Sequence, residues 1–301
     1  MSTATGSALV SPARARLLLL AVVLLWGANW PVMKVGLESI GPLTFAATRM
    51  LLGGATLAVV AALQGQLRLP DRADWPVVFG VGLLQMAGFL GLVNLGLQYV
   101  PAGRSAILAY TTAIWVVPLA AMLLGERLAG RRLAGFVIGI AGVGVLFNPF
   151  GFDWTDRAVL LGNGLLLLAA LLWAILIVQV RGHAMRGSPL SLGPWQFAVA
   201  ALVLTPLALL LEGTASIRWS PQLAVILAYN GPLATGFCFW AMITVTRALP
   251  AITTSLSSLA VPVTGMLLAA VTIGEPLTVT NLAGLALILG GVGLVSVPQS
   301  R

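Results

Sequence analysis

The chain is predicted to be an all-α polytopic membrane protein, with ten transmembrane helices built as two inverted five-helix repeats. Three observations lead there. Of its 301 residues, 59% are hydrophobic and 8% charged. Soluble domains carry about 25% charged residues, so this chain has too little charge to cover a water-facing surface. The apolar residues also gather into runs of about 20 that are nearly free of charge, the length that crosses a bilayer as a helix. Finally, the second half repeats the motif order of the first. A β-barrel would need segments of roughly 10 alternating residues, and the run AVLLGNGLLLLAALLWAILIVQV from Ala158 does not alternate.

Ten spans follow in order, at 16–34, 41–63, 75–98, 102–123, 131–147, 158–180, 190–211, 221–246, 251–272 and 279–297. The first follows Arg14 and Arg16 and has the basic-then-apolar look of a signal peptide. It runs on into Trp-Gly-Ala-Asn-Trp-Pro with no small-x-small cleavage site, so it is read as a retained helix. The breaks QGQLRLPDRAD, GERLAGRR and NPFGFDWTDR are short, polar and turn-rich, as connections in a compact bundle should be. Trp75, Trp154, Trp195 and Trp219 fall near span ends, where interfacial indoles belong.

Charge sets orientation. With an even number of spans, one side collects 11 basic residues: Arg14, Arg16, Arg68, Arg72, Arg127, Arg131, Arg132, Arg181, Arg186, Arg247 and Arg301. The other collects 4, namely Lys34, Arg104, Arg157 and Arg218, while Arg49 falls inside a span. The positive-inside tendency then predicts a bacterial-type cytoplasmic (inner) membrane protein with both termini cytoplasmic. The net charge of +8 does not point to nucleic acid, because the arginines sit singly or in pairs and form no basic face. Cys238 is the single cysteine, so no intramolecular disulfide exists and a small core residue is expected.

The repeat is visible residue by residue. Leu133-Ala134-Gly135 with Gly142 and Gly144 recurs 149 positions on as Leu282-Ala283-Gly284 with Gly291 and Gly293. Gly125-Glu126 recurs as Gly274-Glu275, and Pro101 as Pro250. Earlier in each half the offset is 147: Leu24-Leu25-Trp26 matches Leu171-Leu172-Trp173, Lys34 matches Arg181, and Pro42 matches Pro189. The expected division is 1–147 for the first repeat, 148–157 for a linker and 158–301 for the second. Five helices is an odd number, so the second repeat enters the membrane from the opposite side. Such inverted repeats are the mark of secondary transporters that open a midplane site alternately to each face.

WGANWPVMKVGL in the first span, Arg49 in the second, and the two Gly-Glu pairs with their Gly-rich following helices resemble the drug/metabolite transporter superfamily. Those helices read GERLAGRRLAGFVIGIAGVGVL and GEPLTVTNLAGLALILGGVGLV. The nearest likeness is to its EamA-type ten-helix exporters, and within them to aromatic amino-acid exporters of the YddG type. The resemblance covers nearly the whole chain. It implies export of small metabolites, often amino acids, from the cytoplasm.

Polar groups at membrane depth face protein or a water-filled pathway, so each is a candidate site residue. Asn29 sits beside Pro31, which removes a backbone donor and frees the carbonyl near Gly27 for a substrate, for water or for Asn29 itself. Lys34, at the span end, is expected to snorkel to the interface. Arg49 can pair bidentately with a substrate carboxylate, or bind helix-end carbonyls as structural glue; Gln196 stands at its repeat-related position. Glu126 and Glu275 are read as caps on the N-termini of the helices that follow them. Expected to contribute to the cavity are Trp26, Gln85 and Asn94, then Tyr110, Thr111 and Trp173. Tyr229, Asn230 and Trp240 join them from the eighth span, where Pro232 again frees backbone. Ser255, Ser257 and Ser258 come from the ninth. Indoles, phenols and amides set in apolar walls suit an amphipathic solute. The Gly135/Gly139 pair and Gly290, Gly291 and Gly293 are read as packing positions.

Other classes fit less well. His183 is the only histidine and has no second ligand beside it, so a metal or acid/base centre of an enzyme is not assembled, and no cofactor is expected. No Asp or Glu lies mid-span, which argues against a lipophilic-cation drug pump. A nucleotide-sugar carrier would call for several buried basic groups where only Arg49 stands. Multidrug, purine or nucleotide-sugar carriers of the same superfamily, and a channel, are the alternatives. The expected partners are a small-molecule substrate and the lipid bilayer, with no nucleic acid, in a monomer or weak homo-oligomer.

Overall fold

The computed structural model describes residues 11–125, 130–147, 155–181, 183, 185–214, 217–249, 257 and 259–296. Among these, ten helical spans succeed one another: α1 (Pro12–Gly36), α2 (Pro42–Leu63), α3 (Trp75–Leu97), α4 (Ala102–Leu124) and α5 (Arg131–Phe147). Then come α6 (Arg157–Arg181), α7 (Pro189–Leu211), α8 (Pro221–Ala228, Tyr229–Phe237 and Cys238–Ala248), α9 (Ala260–Ile273) and α10 (Val279–Ser296). α1–α4 and α6–α8 are each long and apolar enough to cross a bilayer; α5, α9 and α10 are shorter apolar helices. Large apolar side chains on the outer surface, such as Met122 at 80% and Val271 at 84% exposure, are what a lipid-facing bundle presents.

Contacts between helix ends establish the up-and-down topology. At one face, here the far face, the Lys34 ammonium at the end of α1 donates to the carbonyls of Leu97 (2.6 Å), Gln98 (3.3 Å) and Val100 (3.0 Å) at the end of α3. At the same face, Arg104 at the start of α4 reaches Asn163 near the start of α6 (3.0 Å). Arg218, just before α8, joins the α1–α2 turn through its backbone N–H to Ser39 O and its guanidinium to Glu38 O, beside an Ile40–Ile217 bridge. At the near face the starts of α3 and α7 meet, where Asp74 accepts from the backbone amides of Arg186 (2.9 Å) and Gly187 (2.8 Å). The first repeat therefore starts at the near face and the second at the far face. Lys34 is thus spent on three carbonyls at the end of α3 and in the turn after it, and does not snorkel outward as the sequence suggested.

The helix starts show how each end is finished. Pro stands at the first helical position of α1, α2, α7 and α8, where its missing N–H costs nothing. Ser11, Ser188 and Ser220 then cap α1, α7 and α8 through their own hydroxyls. α2 and α4 have no such neighbour. α2 borrows the carboxylate of Glu212 from the end of α7, which accepts from Leu43 N (2.7 Å), Thr44 N (2.8 Å) and Thr44 Oγ1 (2.6 Å). α4 borrows Glu275, which accepts from Ala102 N (2.5 Å) and Gly103 N (2.9 Å). The expectation that Glu275 caps the helix after it is therefore corrected, since α10 takes its cap from Thr278. Gly274 ends α9 in the left-handed conformation (φ 70°), and the side chain of the next residue, Glu275, crosses to α4. Gly125 also ends α4 in the left-handed conformation (φ 66°). Glu126 lies outside the described residues.

Two spans carry the same irregularity. Val81–Phe89 in α3 and Tyr229–Phe237 in α8 are π-helical, and their starts stand 148 residues apart, between the repeat offsets of 147 and 149. The repeat extends to packing: Gly231 abuts Leu52 of α2 as Gly82 abuts Val199 of α7. α5 and α10 cross at glycines, with Gly291 against Gly135 and Gly139, and Gly284 against Gly142. Gly135, Gly139 and Gly291 thus pack within the chain, while Gly290 and Gly293 face open space. α4 departs from the continuous span expected. It breaks at Tyr110–Thr111, and the hydroxyls of Thr111 and Thr112 cover the carbonyls of Leu108 (2.6 Å) and Ala109 (2.8 Å).

Glu212→Ala should cost about 1–2 kcal/mol, the value of a lost helix cap, while Glu212→Gln retains part of it. Thermal unfolding in detergent is the check, with α2 regaining no cap from Gly41.

Candidate functional site

Apolar side chains pack into several separate clusters, and the large aromatics lie where the clusters meet. Tyr110 borders the cluster around Phe45, Ile107 and Leu166, and also the one around Ala15, Leu19 and Val261. Trp26 borders that second cluster and the one around Val22 and Cys238. Trp240 joins this third cluster to the one around Met50 and Phe197, and Trp173 joins the fourth back to the first. Four aromatic side chains, from α4, α1, α8 and α6, are therefore each shared by two neighbouring clusters, so that the four clusters link in a ring. None of the four is fully buried. Trp26 and Trp173 stand in repeat-related positions.

Helix rise gives the aromatics their depth. At 1.5 Å per residue, Tyr110 and Trp26 stand about 12 and 15 Å along their helices from the far-face ends, and Trp240 roughly 28 Å along α8. Trp173 packs on Phe89 (centroids 4.8 Å apart) and edge-on to Tyr110 (6.2 Å). The Trp26 N–H is already taken by Ala234 O (2.9 Å), so this indole offers its face and not a donor.

Polar groups gather where α1, α2 and α8 meet. Tyr229 OH donates to Leu25 O (2.6 Å), and Asn230 Nδ2 to Asn29 Oδ1 (2.6 Å). The π turn leaves the Asn230 carbonyl to Thr235 Oγ1 (2.7 Å), which in turn accepts from Arg49 Nε (3.0 Å). Arg49 Nη1 reaches Met33 Sδ (3.3 Å). Arg49 is 4% exposed, and among the described residues its bonded partners are a hydroxyl and a thioether, not helix-end carbonyls. Pro31 leaves α1 unbroken, and Gly27, four residues earlier, packs on Thr264 of α9. Pro232 sits half-buried in the π turn.

The remaining sequence candidates stand elsewhere. Asn94 is fully buried and ties α3 to the start of α2 through Pro42 O (3.3 Å). Thr111 is spent on its own helix and on Trp115 Nε1 (3.2 Å). Gln85 lies half-buried in the α3 π segment, and Gln196 is buried with Oε1 unpartnered. Ser255 and Ser258 lie outside the described residues; Ser257 is half-buried. Sequence reasoning missed Thr235 and Phe89, a threonine and a phenylalanine that composition alone does not single out, and Glu212, whose signal was an acid at a span end facing an uncapped Gly-Pro start. A cleft of about 400 Å³ opens at the near face between 65–74 and 186–192, at helix ends and not at the depth of the ring. Its Asp74 is occupied by backbone amides. No group of three or more metal-ligating side chains occurs among the described residues.

Comparison with known proteins matches this architecture. The model of the EamA-like transporter family fits residues 13–148 and 160–297, one match per repeat. Among curated relatives, the "Probable amino-acid metabolite efflux pump" of Escherichia coli (strain K12) is 30% identical over 294 residues, covering 91% of this chain and 92% of the relative. The "Uncharacterized transporter YoaV" of Bacillus subtilis (strain 168) is 27% identical, covering 94% and 97%. The "Probable terminal-alkyne amino-acid exporter" of Streptantibioticus cattleyicolor is 26% identical, covering 92% of each chain. A solved structure described as "Crystal structure of protein" superposes with a TM-score of 0.64 at 26% identity, covering 94% of this chain and 96% of the other.

Thr235→Val is expected to destabilise more than Tyr229→Phe. The first strands a buried guanidinium N–H, costing about 1–3 kcal/mol, while the second loses one neutral hydrogen bond of roughly 1 kcal/mol. Melting temperatures of the two purified variants decide the order.

Proposed function

The chain belongs to the EamA-like transporter family, and from that premise we propose that it exports amino acids or similar small amphipathic metabolites, aromatic and other hydrophobic ones included. The observation that carries the proposal is the set of Trp26, Tyr110, Trp173 and Trp240, drawn from both halves of the chain and each set between two apolar clusters. Four aromatic faces with polar groups on one wall fit a solute with an apolar side chain and a polar head. The names of relatives from Escherichia coli and Streptantibioticus cattleyicolor, an amino-acid metabolite efflux pump and an amino-acid exporter, support the same class.

The mechanism is alternating access. Repeats 1–147 and 158–301 exchange conformations about a two-fold axis in the membrane plane, so that the ring opens first to one face and then to the other. The near face, which holds most of the arginines, is cytoplasmic, and the substrate leaves at the far face. The paired π segments of α3 and α8 are where such rocking would bend the long helices, because π turns already relax the i→i+4 ladder.

The test is counterflow in proteoliposomes. Phe, Trp, Met, Thr, a purine and a quaternary ammonium are each trapped inside, with the matching label added outside. Accumulation of aromatic or hydrophobic amino acids is the expected result; accumulation of the purine or the ammonium alone would replace the substrate class, and flux without counterflow would indicate a channel. Trp173→Ala and Trp26→Ala should each raise the half-saturating concentration of the transported amino acid about 10-fold or more, as expected from losing about 1.4 kcal/mol of contact.

A further inference from the structure

Arg49 presents a physical problem that the fold leaves open. A guanidinium at this depth is costly without an anion, and both of its bonded partners, Thr235 and Met33, are neutral. Nearby stands a second imbalance of opposite sense. Asn230 is fully buried, its Nδ2 is used by Asn29, and its Oδ1 is an acceptor with no donor. The two groups belong to one hydrogen-bonded chain, Asn29–Asn230–Thr235–Arg49, with links of 2.6, 2.7 and 3.0 Å. Among the described residues, a guanidinium with only neutral partners and an amide oxygen with no donor thus share one hydrogen-bonded chain, the complement of a carboxylate next to an ammonium.

We propose that this chain is the head-group site for a zwitterionic α-amino acid, Arg49 taking the carboxylate and Asn230 Oδ1 the ammonium. The proposal rests on the amino-acid reading above and assigns its polar half. Arg49 and Asn29 lie about 10 Å from the far face and Asn230 about 14 Å, on the side of Tyr110 and Trp26. The head group therefore lies toward the far face and the apolar side chain toward Trp240, about 15 Å deeper on the same helix as Asn230. Thr235 is the positioning residue. It holds Nε and leaves the Nη edge of the fork, whose Nη1 meets only a thioether, for a carboxylate. Gln196, the repeat-related position, has no charge, so the site exists once per chain and the head group keeps to the α1–α2–α8 wall.

The test compares equilibrium binding of three compounds that share one apolar side chain: the amino acid, its amide and its des-amino acid. Wild-type protein should prefer the amino acid over the amide by about 10-fold or more, the worth of a charge-assisted hydrogen bond. Arg49→Gln, shown to be folded by thermal melting, should bring the amino acid down to the level of the amide and leave the amide within about 2-fold. Arg49→Lys should restore part of the preference, and Asn230→Ala should erase the preference for the amino acid over the des-amino acid. Equal binding of amino acid and amide by the wild type overturns the carboxylate site without any variant being needed. Retained preference in folded Arg49→Gln also overturns it and returns Arg49 to a structural role. If only the des-amino acid binds, the amino-acid reading falls while the Arg49 carboxylate site stands. If none of the three binds to folded protein, both fall.

Discussion

Every helix end in lipid leaves backbone donors or acceptors that water cannot reach, and each must be met by another part of the protein. This constraint organises the molecule. Glu212 meets the amides that open α2, Glu275 those that open α4, and Lys34 the carbonyls that close α3. Two of the three caps cross from one repeat to the other. The turn Gln98–Gly103 is gripped from both sides, its carbonyls by an ammonium from α1 and its amides by a carboxylate from beyond α9. Caps placed this way hold the repeats together at their rims and leave the middle to apolar faces.

That division of labour accounts for the shape of the site. Charge is concentrated where helices end, and at depth the indole of Trp26 and the phenol of Tyr229 are satisfied by backbone. Trp26 and Tyr229 each hand their single donor to a carbonyl of the neighbouring helix, which fixes the seam between α1 and α8 and leaves flat apolar surface facing inward. The π turn of α8 works in the same direction. By skipping one register it releases the Asn230 carbonyl, and Thr235 collects it while holding Arg49.

Much of this was legible in the sequence, and for identifiable reasons. Apolar run length marks helices, the odd helix count per repeat fixes inversion, and Gly125 and Gly274 mark left-handed turns that end helices. Trp26, Tyr110, Trp173 and Trp240 could be nominated because indoles and phenols at depth are rare. What could not be read was partner choice. Glu275 is as near in sequence to α10 as it is near in space to α4, and only the three-dimensional turn decides between them. The same holds for Lys34, which has the length to snorkel and equally the length to cap. Register breaks are harder still: nothing in VGLLQMAGF announces a π turn, whereas YNGPLATGF carries a proline that does not say which register follows.

The cross-repeat caps also bear on the order in which the chain is made. Helices α2 and α4 leave the ribosome long before Glu212 and Glu275 exist, while Lys34 precedes the α3 carbonyls it serves. During synthesis the first five helices therefore hold two bare N-termini at the far face, where lipid headgroups and water are their only partners. Emergence of α7 closes one and the turn after α9 closes the other. The first half is thus a provisional structure that matures only as its inverted counterpart is threaded in, and a chain interrupted after α6 carries neither acid.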